Sequence, residues 1–277
     1  MGIERDLPFS KYHDREGWGA SALKDMRVGP PALVLWRQQN PSEETDATRL
    51  GTACHARILE PARFYETYAM KPDGMNFSTK EGKAWRAEQG DKSILTAAEQ
   101  KTVEAVFEAF YAKAPAAAAL TLAEGIEVSM FWADPDCGEP LKGRPDFYDG
   151  EYVYDLKISR HADERSVAFR AYAEGWMSQL AHYRAGLNAL GVPVKTGRLI
   201  VIGPKPPQAL RVYCVEVKEA ALDVLALENA KTVERLRECR LTNKWPGTPD
   251  AFTVIEPPLS ALDTIVQLDG VEEVVDD

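Results

Sequence analysis

The hydrophobic pattern of this 277-residue chain changes its period near residue 125. Before that point apolar residues recur at helical spacing, most clearly over 96–114. From Ile126 to Trp132 they alternate with other residues, and two further strand-like runs flank Asp149-Gly150. Asp-Gly between two such runs predicts a β-hairpin, because both positions of the tight turn need a positive φ. The chain is therefore predicted to pack helices against a sheet.

The order of these patterns predicts one α/β domain, with a central mixed β-sheet flanked by helices and an N-terminal helical lobe. Within a single unit, 1–277, we expect a helical lobe (1–120), an α/β core (121–245) and an extended tail (246–277). We read 70–92 as a mobile loop with a short helix near Trp85. The predicted helices cover 21–28, 32–39, 42–60 (with Ser42 as N-cap), 96–114, 163–190 and 219–243, and the predicted strands cover 126–132, 141–148, 151–159, 198–202 and 210–217.

Composition narrows the class of protein. The net charge of −10 argues against a protein that coats nucleic acid non-specifically, but it allows a DNA enzyme with a basic channel. The four cysteines contain no C-x-x-C pair, so neither a zinc site nor an iron–sulfur cluster is expected. There is no apolar run of membrane-spanning length and no secretory signal pattern at residues 1–10, which favours a cytoplasmic protein without a membrane partner.

The predicted hairpin contains the main candidates for metal binding and catalysis. With Asp149-Gly150 as a two-residue turn, Asp146 lies opposite Val153 and diagonal to Asp155, with the two Cα atoms about 7–8 Å apart. Side chains alternate along a strand, so Asp146, Asp155 and Lys157 share one face. Two carboxylates at that separation can reach one Mg²⁺, which prefers oxygen ligands and can polarise a phosphodiester. Lys157 would orient or deprotonate a water, or meet the charge of the transition state.

The alternative is a solvated hairpin in which Asp146 and Asp155 are paired with Arg144 and Lys157. Neither a G-x-S-x-G nucleophile elbow nor a G-x-x-x-x-G-K-S/T phosphate loop is present, so a serine hydrolase and a nucleotide cofactor are not expected.

The hairpin resembles that of the P-D…(D/E)-x-K nucleases, specifically the RecE-like, exonuclease VIII type within the wider RecB-type group. Gly51-Thr-Ala-Cys-His55, followed by Leu59-Glu-Pro, resembles that family's G-T-x-x-H helix. Ile94-Leu-Thr-Ala-Ala-Glu is similar to its approach to the active site, and Gln179-Leu-Ala-His-Tyr183 matches its Q-x-x-x-Y helix. The similarity covers about residues 20–190, in the expected order. It implies a restriction-endonuclease-like core.

The resemblance implies a role for each acid. The metal would be held by Asp146, Asp155, Glu127 and His55. The catalytic residues would be these four and Lys157. Taken alone, His55 can be an ordinary helix histidine and Glu127 a solvated acid.

The residues expected to contact DNA are Arg144, Gln179, Tyr183, Lys80, Lys83 and Trp85. Gln179 and Tyr183 lie four apart, hence on one helix face, where a structural role is equally open. Arg144 could reach the scissile phosphate or form a salt bridge to Asp155. Lys80, Lys83 and Trp85 could hold DNA through phosphate contacts and base stacking, or form a solvated loop.

By resemblance, the expected activity is a Mg²⁺-dependent exodeoxyribonuclease for which Mn²⁺ can substitute. It would degrade one strand of linear double-stranded DNA from an end, 5′ to 3′, for phage-type single-strand annealing recombination. The family also implies a trimeric or tetrameric ring, a single-strand annealing protein as partner, a phage or prophage origin and the cytoplasm of a bacterial host. The alternatives are a structure-selective endonuclease of the same fold and a catalytically inactive module that binds DNA or protein.

Overall fold

The computed structural model describes residues 1–41, 45–160, 162–204 and 211–250. Its helices are α1 (Phe9–Asp14), α2 (Ala20–Val28), α3 (Pro31–Gln39), α4 (Asp46–Leu59), α5 (Pro61–Thr67), α6 (Lys80–Glu88), α7 (Ala97–Ala112), α8 (Ala114–Thr121), α9 (Glu164–Ala173), α10 (Trp176–Ala189) and α11 (Glu219–Thr242). Its strands are β1 (Gly2–Glu4), β2 (Tyr68–Met70), β3 (Ser93–Leu95), β4 (Gly125–Ile126), β5 (Ser129–Ala133), β6 (Pro140–Gly143), β7 (Phe147–Tyr148), β8 (Tyr152–Ile158), β9 (Thr196–Ile202) and β10 (Val212–Val217).

A five-stranded mixed sheet forms the centre, in the order β10-β9-β8-β7-β4. The pair β8–β9 is parallel, and the other pairs in this sheet are antiparallel. Successive residues of β8 enter different cores: Val153 packs with Leu180 of α10, whereas Tyr154 and Leu156 pack with Ala53 of α4. Helices therefore cover both faces of the sheet, which confirms the predicted fold class.

A smaller antiparallel sheet, β1-β5-β6, ties the N-terminus to the middle of the chain. Gly2 pairs with Phe131 and Glu4 with Ser129. The segment 1–18 therefore lies against β5 and β6. The proposed division into a lobe (1–120), a core (121–245) and a tail stays a prediction, and residues 251–277 of that tail lie outside the described residues.

Two helix boundaries differ from the prediction. The helix placed at 42–60 begins after Thr45, whose side chain and that of Thr48 form a reciprocal capping box, while the predicted cap Ser42 lies outside the described residues. The helix placed at 163–190 is two helices, α9 and α10, because Gly175 adopts a left-handed φ of +78° between them. By contrast, α7 begins at the predicted Thr96 cap.

The segment 70–92 contains the nine-residue helix α6, which includes Trp85 and confirms the short helix predicted near that residue. It joins strands β2 and β3, which pair with each other in parallel. The indole of Trp85 stacks on Phe77, with ring centroids 6.1 Å apart. This local apolar contact and the Thr79 side-chain cap both stabilise α6.

The hairpin register also differs from the prediction. Tyr148 pairs with Val153, so the strands are offset by two residues from a two-residue turn. The reason is Asp149, whose Oδ1 accepts the Tyr152 N–H at 2.9 Å and whose Oδ2 accepts the Tyr154 hydroxyl at 2.6 Å. These bonds widen the turn. An even offset leaves each side chain on its predicted face.

The strand predicted over 126–132 is interrupted. Glu127 has a φ of +49° and separates β4 from β5. None of the helices in the part of the chain that the structure describes is both long and apolar enough to cross a membrane.

Candidate metal centre

Three potential ligand groups from separate parts of the chain converge at the end of β7. His55 comes from α4, Glu127 from the link between β4 and β5, and Asp146 from the residue before β7. One ligand atom from each lies within 4.8 Å of the other two. The sequence predicted all three as members of one site, and the fold brings them together.

The backbone around this cluster fixes the two acids. The Glu127 N–H donates to the Asp146 carbonyl at 2.9 Å, and the left-handed conformation of Glu127 directs its chain out of the strand. Asp146 Oδ2 accepts the Leu156 N–H at 2.5 Å, while its Oδ1 lies 3.6 Å from His55 Nδ1. A non-glycine residue with positive φ stores strain, and such strain concentrates at functional sites.

Asp155 and Lys157 form the second part of the site. The Asp155 residue is 1% exposed, and its Oδ2 lies 2.7 Å from Lys157 Nζ. The alignment does not make a hydrogen bond, so Asp155 Oδ2 has no hydrogen-bond partner among the described residues. Asp155 is not part of the cluster formed by His55, Glu127 and Asp146, although it shares a strand face with Lys157.

Helix α10 supports the amine. Lys157 Nζ donates to Gln179 Oε1 at 3.0 Å, and Gln179 Nε2 donates to the Tyr183 hydroxyl at 2.7 Å. Gln179 and Tyr183, two of the six residues predicted to contact DNA, thus form a hydrogen-bonded chain that ends on Lys157. This chain holds the amine beside Asp155.

The electrostatics of the cluster follow from burying several acids together. Burial, reinforced by the charge of Asp146, raises the pKa of Glu127 to about 7 despite the neighbouring Arg144. Burial raises the pKa of Asp155 to about 6, against the opposing charge of Lys157. For His55, burial lowers the pKa, but Asp146 and Glu127 outweigh it and the net direction is upward. Each of these three pKa shifts favours the protonated form, which a bound cation would disfavour.

The donor set suits a hard or borderline divalent ion. Carboxylates favour Mg²⁺ and Mn²⁺, and one imidazole nitrogen can be accommodated beside them. The buried Asp155 oxygen without a hydrogen-bond partner is a group that a cation would satisfy. The residues present therefore fit a divalent metal, whose identity the donor set alone does not fix.

Arg144 does not form the salt bridge to Asp155 that was one of its two predicted alternatives. Its Nε donates to Glu127 Oε2 at 2.8 Å, and its terminal nitrogen donates to the Leu7 carbonyl at 2.8 Å and to Ser129 Oγ at 3.2 Å. Arg144 is buried. Through these hydrogen bonds it connects the acid cluster to the N-terminal segment.

The site opens into a cleft of about 1170 Å³, which is larger than most small-molecule pockets of about 300–1,000 Å³. Predicted site residues that line it are His55, Glu127, Arg144, Asp146, Lys157, Gln179 and Tyr183. Lys80, Lys83 and Trp85, predicted to contact DNA, belong to α6 and are not among the residues lining the cleft.

Helix α1 forms a wall of the cleft that the sequence did not predict. Phe9, Tyr12 and His13 line the cleft from the N-terminal segment. Their spacing of three and four residues places them on one helix face, which was a detectable signal. Nothing in that spacing shows which part of the chain α1 packs against, because the pairing of β1 with β5 is long-range.

No family model and no curated protein matches the chain. Among solved structures, the fold is similar to that of an exonuclease candidate from Eubacterium rectale, with a TM-score of 0.62 and 13% identity over 94% of this chain and 98% of that one. LHK-Exo, solved in complex with dAMP, is 13% identical over 69% of this chain and 91% of its own, with a TM-score of 0.31. The first likeness establishes a shared α/β fold, and the second is too distant to support an argument.

Proposed function

We propose that this chain is a divalent-metal-dependent deoxyribonuclease that degrades one strand of linear duplex DNA from an end. The observation that carries the proposal is the convergence of His55, Glu127 and Asp146 within 4.8 Å, beside a lysine paired with a buried acid. The similarity of fold to an exonuclease candidate supports the same class of reaction.

The ion, Mg²⁺ or Mn²⁺, would be held by Asp146, Glu127 and His55, with the carboxylate of Asp155, now paired with Lys157, as a further ligand. When bound, it polarises the phosphodiester and neutralises developing charge. Lys157, fixed by Asp155 and Gln179, orients the attacking water and presents a positive charge to the pentacovalent transition state. Holding the amine in place before reaction avoids a reorganisation cost at the moment of cleavage.

The finer parts of the proposal come from the family resemblance. They are 5′ to 3′ polarity, a 3′ overhang passed to a single-strand annealing protein, a ring of three or four copies and action in the cytoplasm of a bacterial host. The four motifs stand in the expected order along the chain, and side chains from three of them, His55, Asp146 with Lys157, and Gln179 with Tyr183, line one cleft. This common location supports carrying the resemblance beyond the hairpin alone.

The test compares a linear duplex with a covalently closed supercoiled circle of the same sequence, in Mg²⁺ and in Mn²⁺. We expect stepwise degradation of the linear DNA, an intact circle, and loss of activity on chelation. Cutting of the circle would indicate an endonuclease instead.

Substitutions locate the site. We expect Lys157→Ala and Asp155→Asn to abolish hydrolysis, whereas Lys231→Ala, at an exposed lysine of α11, keeps wild-type activity. If wild type degrades DNA and both site variants are equally active, the site is misassigned. If wild type binds DNA without cleaving it in either metal, the chain is a binding module.

A further inference from the structure

Helix α1 presents an aromatic ring in the cleft that the proposed chemistry does not use. Phe9 is 53% exposed, although it lines the same cavity as Glu127 and Lys157. The His13 ring packs against it nearly at a right angle, with centroids 4.4 Å apart. An aromatic ring left half exposed in a cleft can stack on a flat apolar partner.

Helix α1, which carries Phe9, is held in place at both of its ends. Lys142 Nζ donates to the carbonyls of His13 at 3.1 Å and Arg15 at 2.6 Å, and Arg144 donates to the Leu7 carbonyl at 2.8 Å. A six-residue helix is too short to be stable in isolation, so these tethers and the pairing of β1 define its position. Phe9 therefore belongs to a fixed wall.

Phe9 also lies close to the acid cluster. The Arg144 guanidinium carbon is 5.9 Å from the centre of the Phe9 ring, and Arg144 Nε is 2.8 Å from Glu127 Oε2. One guanidinium group thus separates the ring from a proposed metal ligand. At about 3.4 Å per stacked nucleotide, a base on Phe9 would lie within three nucleotides of the scissile phosphate.

The cleft offers few free charges to a DNA backbone. Each lysine and arginine that lines it among the described residues already has a partner in the chain: Arg37 with Asp25, Arg63 with Glu60, Arg144 with Glu127, Lys157 with Asp155, and Lys142 with backbone carbonyls. DNA binding in the cleft therefore needs a source of affinity other than unpaired lysine and arginine side chains.

We propose that Phe9 is a stacking platform for an unpaired nucleobase of the strand that occupies the cleft. The proposal rests on the proposed function, because it takes the substrate to be DNA. Base–aromatic stacking tolerates any sequence, since every base has a π-face. Phe9 binds substrate and takes no part in the bond-breaking step.

The test combines Phe9→Ala with an abasic site placed, in turn, at each of three nucleotides on either side of the scissile phosphate. On intact DNA we expect Phe9→Ala to lower kcat/KM by about 5- to 160-fold, which corresponds to about 1–3 kcal/mol at 1.36 kcal/mol per tenfold. At one position the abasic site should lower wild-type activity similarly and abolish the difference between the proteins. Independent effects at every position would overturn the proposal.

Three further variants separate stacking from folding. Phe9→Trp should retain activity, because it keeps a π-face, whereas Phe9→Leu, which keeps apolar volume alone, should resemble Phe9→Ala. Phe169→Ala, at a phenylalanine of α9 that is 74% exposed and does not line the cleft, should match wild type. Equal activity of the Leu and Trp variants would reduce Phe9 to a space-filling role.

A binding measurement distinguishes failure of this proposal from failure of the proposed function. Should wild type cleave no DNA, single-stranded oligonucleotides carrying 2-aminopurine at each position would be titrated with wild type and Phe9→Ala. Quenching at one position that is lost in the variant supports stacking without hydrolysis. Identical quenching in both proteins, or no binding to wild type, contradicts it.

Discussion

Glu127 is the residue whose chemistry the structure constrains most tightly, and Glu127→Gln tests that constraint. The carboxyl is buried beside Asp146, which raises its pKa from 4.5 to about 7, while Arg144 supplies only partial compensation. Glutamine keeps the shape and an acceptor for Arg144 Nε but cannot ionise. We therefore expect the variant to be more stable than wild type wherever Glu127 is charged and the metal is absent.

The sign follows from proton binding. The folded state holds the Glu127 proton more tightly than the unfolded chain, so the favourable contribution is full below about pH 4.5 and is lost as pH rises to about 7. At 1.36 kcal/mol per pKa unit, the stability gained by Glu127→Gln grows from under about 1 kcal/mol at pH 5 to about 3 kcal/mol at pH 8.

Urea unfolding in chelator at both pH values measures this difference, with Glu108→Gln on the exposed face of α7 as the matched control. Adding Mn²⁺ should reverse the order at pH 8, because wild type then gains the ion as a ligand. A pH-independent difference, or a variant less stable than wild type at pH 8 in chelator, would refute the reasoning. Arg144 would then fully compensate the buried charge.

Two other substitutions test the metal shell and the helix that carries part of it. His55→Ala should weaken Mn²⁺ binding by at least about 10-fold and Mg²⁺ binding less, since Mg²⁺ prefers oxygen ligands; calorimetric titration giving equal losses would argue against a nitrogen ligand. Thr45→Ala should cost about 1 kcal/mol in urea unfolding, because Thr45 caps α4 through the Thr48 N–H. Thr121→Ala, whose exposed hydroxyl bonds only to a preceding carbonyl, should cost less, and an equal loss would contradict the capping role.

The hairpin shows why part of the site was predictable from sequence. Placing Asp146, Asp155 and Lys157 on one face needed only the strand period and a turn signal. The predicted register was wrong by two residues, since Asp149 widens the turn, yet the shared face survived because the error was even. An odd error would have moved one acid to the opposite face.

Glu127 and Phe9 show where the sequence was insufficient. The alternation over 126–132 predicted a continuous strand, and nothing local reveals that Glu127 takes a left-handed φ of +49°. That conformation is compensated by tertiary contacts, such as the Asp146 carbonyl that accepts the Glu127 N–H. Phe9 reaches the cleft through the pairing of β1 with β5 and through hydrogen bonds from Lys142 and Arg144, contacts too distant in sequence for any short pattern to encode.

The lysines and arginines that line the cleft have partners within the chain, and this bears on whether cleavage starts at a DNA end or inside a duplex. Non-specific duplex affinity comes from cations that displace counterions along the backbone. Here the cations lining the cleft in the described residues are paired within the chain, and the protein as a whole carries −10. Attraction to the interior of a duplex is therefore weak at this site. A free end offers a base that unstacks at less cost than one in the duplex interior, which agrees with the proposed end-directed cleavage.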